Sequence, residues 1–95
     1  MINANDIKTL ALTKTPGGNL LKLFEEMGEL MQAINHMYEN CGLPQNRDNL
    51  IEEMADVEIC MRIVRQMYGI FDEDYDAMID RKMKRNIGRI AERKE

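Results

Sequence analysis

Tryptophan is absent from this 95-residue chain, and aromatic residues make up only 5% of it. No segment alternates apolar and polar residues for long, so nothing in the pattern builds a half-buried sheet. Cysteine is scarce as well. Cys41 and Cys60 are the two present, and they form neither a CxxC pair nor a Cys/His metal spacing, which excludes a disulfide framework and a structural zinc site. Both read as free thiols of a reducing compartment. No apolar run approaches the roughly 20 residues a membrane-spanning helix needs. Asp6 and Lys8 interrupt the amino terminus before a signal-peptide core can develop, so the expected location is the cytoplasm, with no membrane partner. An excess of basic charge is also missing: the net charge is −4, which argues against a nucleic-acid polymer as partner.

What is present is a helical pattern. Hydrophobic residues make up 44% of the chain, and nine are methionine, a flexible core filler that favours helix. The length predicts one domain, residues 1–95, whose modest core oligomerisation would enlarge. A short helix is expected from about Asp6 to Thr13, capped by Asn5 or Asp6. After the Thr15-Pro16-Gly17-Gly18 break, a long helix is expected from Gly18 to Tyr38, with Leu20, Leu23, Phe24, Met27, Leu30, Met31, Ile34 and Met37 on its apolar stripe. Asn40 to Pro44 reads as a Gly-then-Pro stop. A third helix is expected to start near Asp48 or Asn49, with Asn49 and Glu52 at capping-box spacing. Its stripe is Leu50, Ile51, Met54, Val57, Met61, Val64 and Met67, ending at Tyr68-Gly69. A fourth begins around Asp72 and carries Tyr75, Ile79, Met83, Ile87 and Ile90. Short connections predict antiparallel neighbours.

The chemistry is concentrated in two acidic signatures, Glu25-Glu26-Met27-Gly28-Glu29 and Glu52-Glu53-Met54-Ala55-Asp56. Glu26 with Glu29, and Glu53 with Asp56, stand three residues apart, so each pair shares one side of a helix. Each pair also borders the apolar stripe. In an antiparallel hairpin the two pairs meet, and four crowded carboxylates must either hold protons or recruit a cation. Oxygen-only ligands suit Mg²⁺, with Mn²⁺ as a substitute. The spacing alone fits a solvated helical face equally well. Gly28 and Ala55 are small enough to leave room for an ion.

These signatures, with Lys22 before the first and Val57 after the second, resemble the MazG-type all-α nucleotide pyrophosphohydrolases. That family shows EExxE, a variable gap, then ExxD, matched here by Glu25-Glu26-x-x-Glu29 and Glu53-x-x-Asp56 over about residues 18–90. The resemblance implies an all-α, four-helix bundle built around an antiparallel helical hairpin and completed by oligomerisation into a homodimer or homotetramer. It implies hydrolysis of a nucleoside triphosphate to monophosphate and pyrophosphate, with Glu26, Glu29, Glu53 and Asp56 as Mg²⁺ ligands. Glu25 would orient the attacking water or support a ligand; a solvent-facing role fits it as well. Rival readings are a phosphoribosyl-ATP pyrophosphohydrolase, a dUTPase-type relative, and a non-catalytic helical module whose acidic surfaces contact partners.

The basic charge is gathered at one end. Residues 1–80 carry six basic and fifteen acidic side chains, and residues 81–95 carry seven basic and two acidic. Lys82-x-x-Arg85-Asn86 resembles the family's carboxy-terminal stretch, whose residues would bind the triphosphate. The alternative is that these side chains complement the end of a helix. Lys22, four residues before Glu26, reads either as a phosphate contact or as an ion-pair partner of that glutamate. His36 reads as a partly exposed structural residue.

Overall fold

A computed structural model describes residues 1–93, in which four helices follow one another: α1 Ala4–Leu12, α2 Pro16–Glu39, α3 Pro44–Met67 and α4 Asp72–Arg93. Lys94 and Glu95, part of the expected domain, lie outside the described residues. No strand occurs among the described residues, as the all-helical reading requires.

The first three helices start earlier than expected, each for a local reason, while α4 begins at Asp72 as expected. Asn3, rather than Asn5 or Asp6, caps α1, its side-chain oxygen accepting from the Asn5 and Asp6 amides. Thr15 caps α2 by accepting from the Gly18 amide at 3.0 Å, so Pro16 is the first helical residue, where a missing N–H costs nothing. Pro44 does the same for α3. It opens that helix instead of enforcing a stop, and Asn49 and Glu52 lie inside the helix, not at its cap. Leu43 precedes α3 without any side-chain cap bond. The end of α3 matches the sequence reading: Gly69 takes φ +63, the Ile70 amide donates to the Arg65 carbonyl at 2.9 Å and the Gly69 amide to Gln66. This is a Schellman arrangement, in which the left-handed position favours glycine.

Helices α2 and α3 form the body of the molecule, and α1 packs on α3. The hairpin register can be followed from end to end. Asn46 near the start of α3 donates from Nδ2 to the carbonyls of His36 and Asn40, satisfying groups that the end of α2 would otherwise leave open. Glu26 and Glu29 lie beside Glu53 and Asp56 at mid-length, and Asn19 shares a cavity wall with Gln66 and Met67 at the far end. Pairing that runs 36 to 46 and 19 to 66 is antiparallel. Asn19 also ties α1 to α2 through Nδ2 and the Ala11 carbonyl at 2.9 Å.

The apolar core is thin: Ile7, Leu23, Ala33 and Cys60 are buried, and they share the interior with Asn19, Glu26 and Arg65. Much of the expected α2 stripe faces outward, including Phe24, Met27, Met31 and Ile34, as do Ile51 and Met54 of α3. Helix α4 buries no residue and departs from the expectation that it would lie antiparallel against α3. Its attachment is at its start, where the Arg65 guanidinium stacks 4.1 Å from the centre of the Tyr75 ring and lies 3.7 Å from Asp72. The radius of gyration is 16.7 Å, against about 12 Å for a compact chain of this length.

Candidate metal centre

Helix periodicity places the acidic residues together. On α2, Leu23, Glu26 and Ala33 turn inward, so the glutamate at position 26 shares the buried face with apolar neighbours three and seven positions away. On α3, Glu53 and Asp56 lie on the face that ends in Cys60, and they meet α2 at half depth. Oxygens of Glu26, Glu53 and Asp56 lie within 4.8 Å of one another. Glu29, exposed, stands at their edge within reach of Glu26 and Glu53. The four carboxylates singled out from their spacing are therefore neighbours across the hairpin.

The charges are unevenly compensated. Lys22 Nζ donates to Glu26 Oε1 at 2.8 Å; this bond holds the Glu26 carboxyl below the usual carboxylate range despite its burial, and raises Lys22. Glu53 has no such cation. Burial, followed by the negative charges of Glu29, Asp56 and Glu26, pushes its carboxyl above the usual range. Two buried oxygens, Glu26 Oε2 and Glu53 Oε2, have no hydrogen-bond donor. A buried acceptor without a donor is costly, and two of them at the centre of an oxygen-only cluster fit a hard divalent cation. Cys60 borders the cluster, its thiol pushed up by burial, and acts there as a small apolar wall.

The other candidate residues are placed differently. Glu25 is exposed on α2 beside the cluster. Lys22 has the ion-pair geometry with Glu26, while its side chain remains 45% exposed and lines a cleft with Glu26, Asp56, Ile59 and Cys60. Lys82, Arg85 and Asn86 are exposed along α4, and no ion pair or hydrogen bond joins them to the carboxylates among the described residues. Within one chain the structure does not bring this basic stretch to the cluster. His36 is exposed and contributes its carbonyl to the hairpin. Sequence reasoning passed over Lys14, which lines the same cleft, and Asn19. Nothing in the pattern marks either one, since a lysine before a proline-glycine break and an asparagine in a first helical turn are ordinary surface choices.

No helix of the described residues is long and apolar enough to cross a membrane. No curated protein and no solved structure matches the chain. Residues 14–94 match the MazG nucleotide pyrophosphohydrolase domain, a span that holds both acidic signatures, the hairpin that joins them and the basic helix beyond. The chain therefore belongs to the MazG nucleotide pyrophosphohydrolase family.

Proposed function

We propose that the protein hydrolyses a nucleoside triphosphate to the monophosphate and pyrophosphate with Mg²⁺, held by Glu26, Glu29, Glu53 and Asp56. The observation that carries this reading is the pair of buried, donorless oxygens, Glu26 Oε2 and Glu53 Oε2, inside a carboxylate cluster spanning 4.8 Å. Bound there, the cation would neutralise phosphate charge and acidify a water for attack on phosphorus. Glu53, lacking a protein cation, supplies the least compensated charge and so the strongest demand for the ion. Lys22 fixes the orientation of Glu26 and offers its exposed ammonium to a phosphate oxygen. Glu25, one residue before the first ligand, is the candidate for orienting the water.

The basic stretch of α4 enters through a second copy. Phe24, Met27, Met31 and Ile34 on α2 and Ile79, Met83, Ile87 and Ile90 on α4 are all exposed in the isolated chain. Two such rows exceed what a monomer of this size leaves open without function. A homodimer or homotetramer that covers them would bring the Lys82, Arg85 and Asn86 of one copy towards the carboxylates of another. A cytoplasmic setting agrees with the two free thiols.

The test uses thermal melting and turnover together. Mg²⁺ should raise the melting midpoint of the wild type, since saturation at about 100 times Kd adds about 2.7 kcal/mol. Glu26→Gln, Glu53→Gln and Asp56→Asn should each lose that shift and at least about 100-fold in turnover, the order seen when a charge-stabilising group is removed. Retained activity in both Glu26→Gln and Asp56→Asn would show the ligand assignment to be wrong. A folded protein with no metal shift and no product from any nucleotide would leave the non-catalytic module as the better account.

A further inference from the structure

A cavity larger than the cleft at the carboxylates lies elsewhere. It has a volume of about 560 Å³ and lies where α1, the start of α2 and the end of α3 converge, lined in part by Leu12, Lys14, Asn19, Gln66, Met67 and Tyr68. Most of this wall is apolar, as in small-molecule sites that place a few polar groups on a hydrophobic surface. Asn19 is the unusual member. It is 5% exposed, and its Nδ2 donates to the Ala11 carbonyl at 2.9 Å. A carbonyl can only accept, so this bond fixes which end of the amide faces which way. Asn19 Oδ1 is thereby turned away from the Ala11 carbonyl, on a side chain that lines the cavity.

The cavity is linked to the acidic cluster in two ways. Lys14 lines it and also lines the cleft that holds Lys22, Glu26 and Asp56. The stem of Lys14 lies against Gly18, where an added Cβ would meet Lys14 Cβ at 3.4 Å and Thr15 Oγ1 at 3.2 Å. No carboxylate among the described residues pairs with this lysine. Asn19, Lys22 and Glu26 also follow one another on one face of α2, at spacings of three and four. The rise from Asn19 to Glu26 is about 10 Å. A largely apolar cavity with Asn19 on its wall, the Lys14 side chain and the carboxylate cluster thus succeed one another along the hairpin.

We propose that this cavity receives the nucleobase of the substrate, with Asn19 Oδ1 accepting a hydrogen bond from a base N–H and Lys14 contacting the phosphate chain between base and metal. The inference rests on the pyrophosphohydrolase reading and adds to it a base site within a single chain. The occupant is a nucleobase, since most of the wall is apolar, Leu12 and Met67 included, and the Asn19 carboxamide is placed to meet a base edge, while Lys8 and Lys14 on the same wall suit the phosphates that follow it.

The experiment measures KM for the best-hydrolysed nucleoside triphosphate in the wild type, Leu12→Trp, Lys14→Met and Asn19→Ala, and titrates Mn²⁺ into each without nucleotide. Leu12 is highly exposed, so a larger side chain there narrows the cavity without disturbing packing. Leu12→Trp and Lys14→Met should each raise KM about tenfold, a loss of substrate contacts, with Mn²⁺ affinity as in the wild type. Asn19→Ala, where it folds, should also change the order of preference among bases. If the wild type turns over no nucleotide, the enzymatic reading falls and this inference with it. If the wild type is active and binds Mn²⁺ but Leu12→Trp and Lys14→Met keep the wild-type KM, the base site alone is overturned. An unchanged KM with an altered oligomer mass in Leu12→Trp would assign the cavity to an interface, and also overturns it.

Discussion

Glu26 and Glu53 have the same side chain and opposite electrostatics, and the difference is one lysine. The Lys22 ammonium, 2.8 Å from Glu26, holds that carboxyl below its ordinary range, while burial and three neighbouring charges push Glu53 above its own. The sign of the consequence can be worked out. In metal-free protein the folded state holds the Glu53 proton more tightly than the unfolded chain does. Stability from this group is therefore present at low pH and is lost as pH rises from the ordinary carboxylate value through the raised one. Glu26 acts in the opposite sense, but only below the ordinary range. Thermal melts in chelator should show the midpoint rising as pH falls from neutrality towards the ordinary carboxylate range, and Glu53→Gln should flatten that rise. The same variant should be more stable than the wild type without metal and nearly inactive with it, as expected where a site is built against stability. The meeting of the four carboxylates was legible in the sequence because three-residue spacing put each pair beside an apolar stripe. Spacing alone fitted a solvated face equally well, and their reading as metal ligands came from the resemblance to the two-part family motif. Asn19 and Arg65 were not legible, since burial of a polar side chain depends on what packs over it.

At the scale of the helices, type and number were legible, as was the start of α4 at Asp72, and the other three starts were not. Pro16 and Pro44 read as breaks from sequence, yet both sit in the first helical turn, where the ring's fixed φ is already helical. The capping reading of Asn49 and Glu52 failed for the same reason, because α3 had begun five residues before Asn49. The hairpin depends on a residue that no periodicity reveals: Asn46 spans the turn with two hydrogen bonds to α2 carbonyls. Asn46→Ala should cost about 1–2 kcal/mol, the value of one or two net hydrogen bonds. Urea unfolding should show this as a lower midpoint with an unchanged slope.

For the whole molecule, the apolar stripe of α4 showed that one face must be covered, and it could not show by what. The structure leaves that face bare, with α4 anchored by Arg65, Asp72 and Tyr75 at its start. Ile87, central on the exposed row, tests the oligomer directly. Light scattering should find the wild type at two or four chains and Ile87→Glu at one, with helicity unchanged because the residue is 61% exposed within its own chain. If the basic residues of α4 act on a second copy's carboxylates, the monomeric variant should also lose turnover while keeping Mn²⁺ affinity.

The most direct measurement of the central claim is product identification. The wild-type protein is incubated with Mg²⁺ and a panel of nucleoside and deoxynucleoside triphosphates, and pyrophosphate, orthophosphate and nucleotide products are separated. The account predicts pyrophosphate and monophosphate in equal amounts from at least one member of the panel, and none in chelator. Orthophosphate with diphosphate, or no product from any member, would contradict it.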